Sequence, residues 1–144
     1  MTLHLIKLSV GTESIADLAD WQKKRAAERK KKGGSGDIMH ITRMTPKRAD
    51  ELLNGGSMYW VIKGQIACRQ NLLAIRPFTD GSGIGRCHLV LEPVVRAVQP
   101  RPYRPFQGWR YLEPKDAPPD LDGSAGFAAM PEGLRRELAE LGLL

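Results

Sequence analysis

Cysteine and histidine are scarce in this chain, with 2 and 3 copies among 144 residues. Cys68 and Cys87 stand 19 positions apart, and neither has a second cysteine close by, so the paired ligands of a zinc site are missing. His4, His40 and His88 are scattered, and no HxH or HExxH spacing occurs. We therefore expect no metal site, and we expect the thiols to be reduced rather than joined.

Long apolar runs are also absent. No stretch approaches the roughly 20 residues that a membrane span requires. Residues 1–8 lack a basic segment followed by an apolar run and a small-residue cleavage site, so we expect no secretory signal there. With 42% apolar and 26% charged residues, the composition is that of a soluble globular protein. We expect a cytoplasmic protein without a membrane partner.

Catalytic motifs are missing as well. The sequence contains no GxSxG elbow, no Walker-type loop and no GxGxxG after a strand, and the glycine-rich turn at 81–85 lacks the phosphate-loop lysine. Acidic residues are few before position 113, and the pair Glu92 and His88 is a weak candidate for acid–base chemistry. These absences favour a protein that is not an enzyme and needs no cofactor, and they leave the question of catalysis open.

Positive charge is plentiful and unevenly distributed. The formal net charge is +6. Residues 1–112 carry 19 Lys and Arg against 9 Asp and Glu, whereas residues 113–144 carry 3 against 7. A basic body with an acidic tail favours a polyanionic partner such as nucleic acid. Charge that serves only solubility is the alternative.

The aromatic residues concentrate in one window. Four of the nine, Tyr103, Phe106, Trp109 and Tyr111, lie within residues 101–112, interleaved with arginines. Aromatic rings stack on bases and guanidinium groups pair with phosphates, so the mixture is typical of a nucleic-acid-binding surface. A loop also uses such rings to dock onto a core, and we expect at least one of them to do so.

Two other segments share this chemistry. Residues 43–48 (Arg-Met-Thr-Pro-Lys-Arg) lead from a strand into a helix that Thr45 and Pro46 would cap, so free N–H groups and three cations predict a phosphate site, although a structural role fits equally. In the strand at 58–63, alternation predicts that Trp60 faces the core. Tyr59 and Lys63 then face solvent, where Tyr59 can stack on a base and Gly64 lets a ligand approach.

The remaining pattern predicts an α+β fold. Strands and helices alternate as β-α-β-α-β-β-β, followed by coil and a helix, which favours a small mixed or antiparallel curled sheet, or a barrel, with flanking helices. We expect one core domain over residues 1–112 and an acidic coil with a short amphipathic helix over 113–144. The basic run Lys23–Lys32 ends a helix, where it complements the dipole or reaches phosphates, and residues 23–37 form a basic, glycine-rich flexible loop.

Three motifs together resemble a family of bacterial proteins of unknown function of about this length. They are Arg43-Met-Thr-Pro-Lys-Arg, Tyr59-Trp-Val-Ile-Lys-Gly and Arg104-Pro-Phe-Gln-Gly-Trp-Arg-Tyr-Leu. More remotely, the order of strand, short helix ending in Gly-Gly, aromatic strand and Lys-Gly is similar to PUA-like barrels of the ASCH and EVE type. That resemblance implies a groove beside the short helix that holds RNA or a modified base.

We therefore predict a non-enzymatic domain that binds nucleic acid, RNA more than DNA, or a modified base, through a basic and aromatic groove. One alternative is an enzyme or binding protein for a nucleotide-like or anionic small molecule in the same pocket. A further alternative is an adaptor or homodimer that uses the C-terminal helix with Leu134, Leu138 and Leu141. The predicted groove residues are Arg43, Lys47, Arg48, Tyr59, Lys63, Arg69, Arg101, Arg104, Gln107, Trp109 and Arg110.

Overall fold

The structure, a computed structural model, describes residues 2–34 and 36–121. Two α-helices and seven strands occur in these ranges, followed by a short 3-10 helix at Pro114–Asp116. The helices are α1 (Ile15–Lys31) and α2 (Ala49–Leu52). The strands are β1 (His4–Leu8), β2 (Ile38–Thr42), β3 (Ser57–Ile62), β4 (Gln65–Thr79), β5 (Gly85–Leu91), β6 (Arg96–Pro102) and β7 (Trp109–Leu112).

The strands form one mixed sheet with the order β2-β5-β4-β3-β1-β7, and β6 also pairs with β4. Only β1 and β3 are parallel among the described strands. Strand β4 is 15 residues long, so its first half pairs with β3 and β6 while its second half pairs with β5. The predicted α+β class and mixed sheet are confirmed. The barrel alternative is wrong, because β2 and β7 end the sheet and do not pair with each other.

Strand β3 lies at the centre, and all six of its residues are buried. Met58, Trp60 and Ile62 belong to the larger apolar cluster, whereas Tyr59 and Val61 belong to a second cluster. A strand alternates its side chains between the two faces of a sheet, so both faces are covered at β3. We call the side of the larger cluster the Trp60 face and the opposite side the Tyr59 face.

Helix α1 covers the Trp60 face through Leu18, Gln22 and Ala26, which recur at helical spacing. Ser14 caps the helix, and its side chain accepts a hydrogen bond of 3.1 Å from the backbone N–H of Asp17. The helix continues to Lys31, so the prediction that the flexible loop begins at residue 23 is wrong. The basic run is therefore helical, and it ends at the C-terminus that complements its charge.

A hydrogen-bonded polar group lies inside this apolar layer. The amides of Gln22 and Gln70 bond reciprocally, with both distances 2.8 Å. Trp60 Nε1 also donates to Gln70 Oε1 at 2.9 Å, and Gln70 Nε2 donates to the backbone oxygen of Glu92 at 3.0 Å. Helix α1 is thereby bonded to β4, and Gln70 extends the network to β3 and to the residue that follows β5, which leaves no polar side-chain atom of Gln70 unsatisfied.

Gly56 permits the turn from α2 into β3. A Cβ at this position would lie 2.2 Å from the backbone oxygen of Leu3 and 2.3 Å from that of Leu52. The predicted stop at Gly55-Gly56 is confirmed, and its reason is the close approach of two backbone segments rather than flexibility.

Residues 113–121, predicted to begin the acidic tail, return to the sheet. Leu121 packs against Ala97, and Asp120 forms an antiparallel bridge with Val98 of β6. The predicted C-terminal helix lies outside the described residues. Within 2–34 and 36–121, neither helix has the length and apolar character that crossing a membrane requires.

Candidate nucleic-acid interface

The loop between β2 and α2 contacts β7, which joins two of the three segments that the sequence singled out. Trp109 Nε1 donates to the backbone oxygen of Met44 at 2.9 Å. The backbone N–H groups of Lys47 and Arg48 donate to the hydroxyl oxygen of Tyr111 at 3.0 and 3.2 Å. We call this surface the junction: the loop Arg43–Arg48 together with Trp109 and Tyr111.

Cations and an aromatic ring lie together at the junction. Arg43 and Lys47 are exposed and form no ion pair with any other residue in the described ranges. Arg48 differs, because it binds Glu51 at 2.6 Å and its guanidinium lies 5.5 Å from the Tyr111 ring centre. The hydrogen bonds that Arg48 donates to Glu51 raise the pKa of Arg48, so this side chain keeps its charge. Trp109 is partly exposed and meets Tyr111 edge to face.

The predicted phosphate site at a helix N-terminus is wrong in its geometry. Helix α2 begins at Ala49, Arg48 precedes it, and no side chain caps it, so Thr45 and Pro46 do not open a helix. The Tyr111 hydroxyl already accepts the N–H groups of Lys47 and Arg48, so these donors are not directed at a ligand. A phosphate at this surface would therefore meet side-chain cations rather than backbone donors.

The third segment does not reach the junction in the predicted way. Tyr59 is only 5% exposed and packs edge-on against His4, so the prediction that it faces solvent is wrong. Burial also raises the pKa of Tyr59. Lys63 is exposed, and with Gly64 it forms the two-residue turn between β3 and β4, both with positive φ. Gly64 therefore serves the hairpin geometry.

Arg69 lies on the Tyr59 face, opposite to Trp60, because it pairs directly with Tyr59 across β3 and β4. Its guanidinium forms two bonds with Asp120, at 2.7 and 2.8 Å, and further bonds with Ser57 and Asn71. These bonds raise the pKa of Arg69 and lower that of Asp120. Arg69 thus holds the segment around Asp120 against the sheet, and these bonds occupy its guanidinium group.

The rest of the aromatic window divides between the two faces. Phe106 is 9% exposed and docks the loop, as expected of at least one ring, while Arg110 lies 4.8 Å above it. Arg110 follows Trp109 in β7, so its side chain leaves from the Tyr59 face. Arg101 donates to the backbone oxygen of Asp116 at 2.7 Å. Arg104 and Gln107 are exposed in the loop between β6 and β7.

The eleven predicted residues therefore form more than one group. Those at the junction are Arg43, Lys47, Arg48 and Trp109. The other seven lie on the Tyr59 face, in the loop between β6 and β7, or at the β3–β4 turn. They are Tyr59, Lys63, Arg69, Arg101, Arg104, Gln107 and Arg110. The structure brings the segments 43–48 and 101–112 together and separates the segment 58–63 from them.

Sequence reasoning missed Lys7 and His40. Lys7 pairs with Trp60 on one side and Trp109 on the other, which places it on the Trp60 face. His40 packs edge-on against Trp60 with ring centres 5.2 Å apart. One signal was available for Lys7, because Leu3, Leu5 and Lys7 alternate, so a charged residue follows two apolar ones on the same face. No comparable signal marks His40.

Neither cysteine offers reactive chemistry. Cys68 and Cys87 are free and buried, and burial raises the pKa of each thiol, which suppresses the reactive thiolate. Residues 2–34 and 36–121 contain no group of three His, Cys, Asp or Glu side chains suited to a metal ion.

The fold and the site define an α+β protein built on a curled mixed sheet, with a basic and aromatic junction near its two end strands. Residues 5–144 match the model of the DUF1489 family, described as a protein of unknown function, and the chain belongs to that family. In the same comparisons neither a curated protein nor a solved structure matches the chain. The resemblance to PUA-like barrels is not confirmed.

Proposed function

We propose that this protein binds nucleic acid, single-stranded RNA in preference to DNA, at the junction. The observation that carries the proposal is the bond of 2.9 Å between Trp109 Nε1 and the Met44 oxygen. It brings the aromatic window, from 101–112, against the basic loop, although the two lie 65 residues apart in the chain. A basic loop and an aromatic strand that are remote in sequence thus become one surface.

The chemistry of that surface suits a single strand. Arg43 and Lys47 offer two charges that no described residue neutralises, and Trp109 offers a partly exposed ring. Stacking of one base on an aromatic side chain contributes about 1–3 kcal/mol, and it requires a base that is not paired in a duplex. Loops and ends of RNA present such bases, and RNA is therefore the preferred ligand.

Helix α1 supports the same proposal through its charge. Its exposed cations lie in the second half of the helix and its C-cap, and they are Lys23, Lys24, Arg25, Lys30, Lys31 and Lys32. A concentration of positive charge attracts a polyanion over the range of the Debye length, about 10 Å at moderate salt. We assign to α1 this general attraction, and to the junction the contacts that hold the strand.

Fluorescence anisotropy with labelled octanucleotides tests the proposal. The probes are oligouridylate, oligocytidylate and oligoadenylate, the matching DNA strands, and duplexes of both kinds. We expect single-stranded RNA to bind most tightly. The double variant Arg43→Glu/Lys47→Glu should weaken its binding on the order of 10- to 100-fold, because two phosphate contacts become repulsive.

The matched control reverses the same amount of charge on α1, in Lys30→Glu/Lys31→Glu. It should weaken binding less than the junction variant and by a similar factor for every probe. If both variants lose the same affinity for all probes, binding reflects total charge and the junction is not the site. If wild-type protein binds none of the probes at low salt, the proposed function is wrong.

A further inference from the structure

Lys7 places an ammonium group in an apolar setting. The partners of Lys7 in the neighbouring strands are Trp60 and Trp109, so indole side chains flank it on both sides of β1. Leu5, two residues earlier on the same face, is completely buried. Lys7 itself is partly buried, and that burial lowers its pKa. The charge is thus held where it is less stable than in water.

No side chain in the described ranges compensates for that cost. The ion pairs found there involve other cations, and none of the hydrogen bonds involves the Lys7 ammonium. Charged groups that leave water are nearly always paired with an opposite charge or with hydrogen-bond acceptors. Lys7 is therefore a partly buried cation that has neither a carboxylate partner nor a hydrogen-bond acceptor among the described residues.

His40, on strand β2, also lacks a hydrogen-bond partner for one ring nitrogen within the described ranges. Its Nε2 atom is buried and has no hydrogen-bond partner among the described groups. The ring lies edge-on to Trp60 at 5.2 Å, so His40 and Lys7 both adjoin this one indole. Burial lowers the pKa of His40 to about 4, and the charge of Lys7 acts in the same direction. The imidazole is consequently neutral at physiological pH, with one N–H to donate.

We propose that Lys7 and His40 together bind an oxyanion of the phosphate type. An ammonium and an imidazole N–H both donate, and an oxyanion supplies acceptors to both. Charge-assisted hydrogen bonds strengthen where water is partly excluded. Trp109 borders the site and belongs to the junction as well, so the oxyanion is either a backbone phosphate of a bound strand or the phosphate of a small molecule. The site does not depend on nucleic-acid binding.

An oxyanion ligand also explains why the protein has Lys7 at a position where its charge lowers the free energy of unfolding. An unpaired, partly buried cation lowers the free energy of unfolding, and proteins retain such costs chiefly at functional sites. Lys7→Met keeps the length of the side chain and removes the charge. It should raise the midpoint of thermal unfolding without ligand and abolish the response to phosphate. A lysine with a purely structural role would give a lower midpoint in this variant.

NMR of the histidine rings provides the direct test. The Cε1–H signal of His40, assigned with His40→Gln, is titrated in non-phosphate buffer alone and with millimolar inorganic phosphate, uridine monophosphate or an octauridylate. A bound oxyanion should raise the pKa of His40 by one unit or more, and thermal unfolding should shift upward with the same ligand. Lys7→Met should show neither response, whereas Lys115→Met, which removes an exposed charge elsewhere, should respond as wild type does.

The ligands separate the two sources of the oxyanion. A response to octauridylate alone assigns the phosphate to a nucleic-acid backbone, and a response to inorganic phosphate or the mononucleotide alone assigns it to a small molecule. Both results support the site. If none of the three ligands moves His40, or if Lys7→Met responds as strongly as wild type, the proposal is wrong. Failure of RNA binding in anisotropy, with His40 still responding to phosphate, would overturn the proposed function and leave this site intact.

Discussion

Two polar pairs lie on the Trp60 face of the sheet, and they differ in how their hydrogen-bonding groups are satisfied. Gln22 and Gln70 bond to each other reciprocally, and Gln70 also accepts from Trp60 and donates to a backbone oxygen. Lys7 and His40 adjoin the same indole, yet His40 Nε2 has no partner among the described residues and Lys7 forms no ion pair there. Only the glutamine pair therefore has its hydrogen-bonding groups satisfied within the protein.

The difference separates a structural polar group from a candidate binding group. A buried network with every partner in place rigidifies the core and needs nothing from outside. A buried polar atom without a hydrogen-bond partner lowers the free energy of unfolding by about 1–3 kcal/mol. Selection that tolerates such a cost points to a ligand, whereas the glutamine pair points to the fold alone.

Breaking the satisfied pair should give the largest effect on stability. Gln70→Leu leaves Trp60 Nε1 and the Gln22 amide buried without partners, and we expect it to lower the free energy of unfolding by about 2–4 kcal/mol. Chemical denaturation followed by circular dichroism measures the loss. The exposed control Gln99→Leu should change stability by less than about 0.5 kcal/mol.

The double variant Gln22→Leu/Gln70→Leu sharpens this prediction. Because both amides are removed together, only the Trp60 N–H and the Glu92 backbone oxygen lose a partner, and the loss should be smaller than the sum of the two single losses. Simple additivity of the two losses would contradict the view that these side chains act as one unit.

The unsatisfied pair should make the protein sensitive to acid. The pKa of His40 is about 4 in the folded protein, against about 6.5 for an unperturbed histidine. Between these values the unfolded chain takes up a proton that the native protein does not, so stability falls as pH falls and is unaffected above the window. Wild type should lose about 3 kcal/mol more than His40→Gln between pH 7 and pH 4.

Urea denaturation at several pH values checks this expectation. His88→Gln serves as the matched control, because burial also lowers the pKa of His88, which lies on the neighbouring strand β5 with its ring stacked on Phe78 rather than against Trp60. The His88→Gln variant should still show the loss of stability at low pH that His40 causes in wild type. Equal pH profiles for wild type and His40→Gln would show that His40 is not held neutral by burial.

The ion pair on the Tyr59 face should contribute least. The Asp120 side chain is 39% exposed, so solvent screens its bonds with Arg69, and Asp120→Asn should cost about 1 kcal/mol. Hydrogen bonding from Arg69 lowers the pKa of Asp120, so the stabilisation is complete above the unfolded pKa of about 3.9 and is lost as pH falls through the folded pKa. Thermal unfolding at pH 7 and pH 3 measures both, with the exposed Asp116→Asn as control. If Asp120→Asn lowered stability as much at pH 3 as at pH 7, the stabilising role assigned to the ion pair would be contradicted.

Local sequence pattern predicted most of the strands and helix α1. The cap of α1 by Ser14 is a local feature of this kind, because an N-cap depends on residues only three positions away. Tyr59 was misplaced because alternation separates the two faces of a strand but does not say whether either face is open. At β3 both faces are covered, so the polar and the apolar face are buried alike.

The junction and the Lys7–His40 pair depend on contacts between distant segments. Chemistry predicted the components of the junction, but only the fold shows that Tyr111 occupies the N–H groups of Lys47 and Arg48. His40 on β2 approaches Lys7 on β1 although three strands lie between them in the sheet, so this proximity depends on the curl, register and strand order of the sheet rather than on composition.

The salt dependence of oligouridylate binding tests the central claim most directly. If a strand contacts Arg43, Lys47 and one further cation, the logarithm of its affinity should fall with a slope of about −2 against the logarithm of salt concentration. Affinity should then drop roughly 15- to 20-fold between about 50 and 200 mM salt, and Arg43→Glu/Lys47→Glu should reduce the slope to about −0.7. An affinity that does not change with salt, or an unchanged slope in the variant, would contradict nucleic-acid binding at the junction.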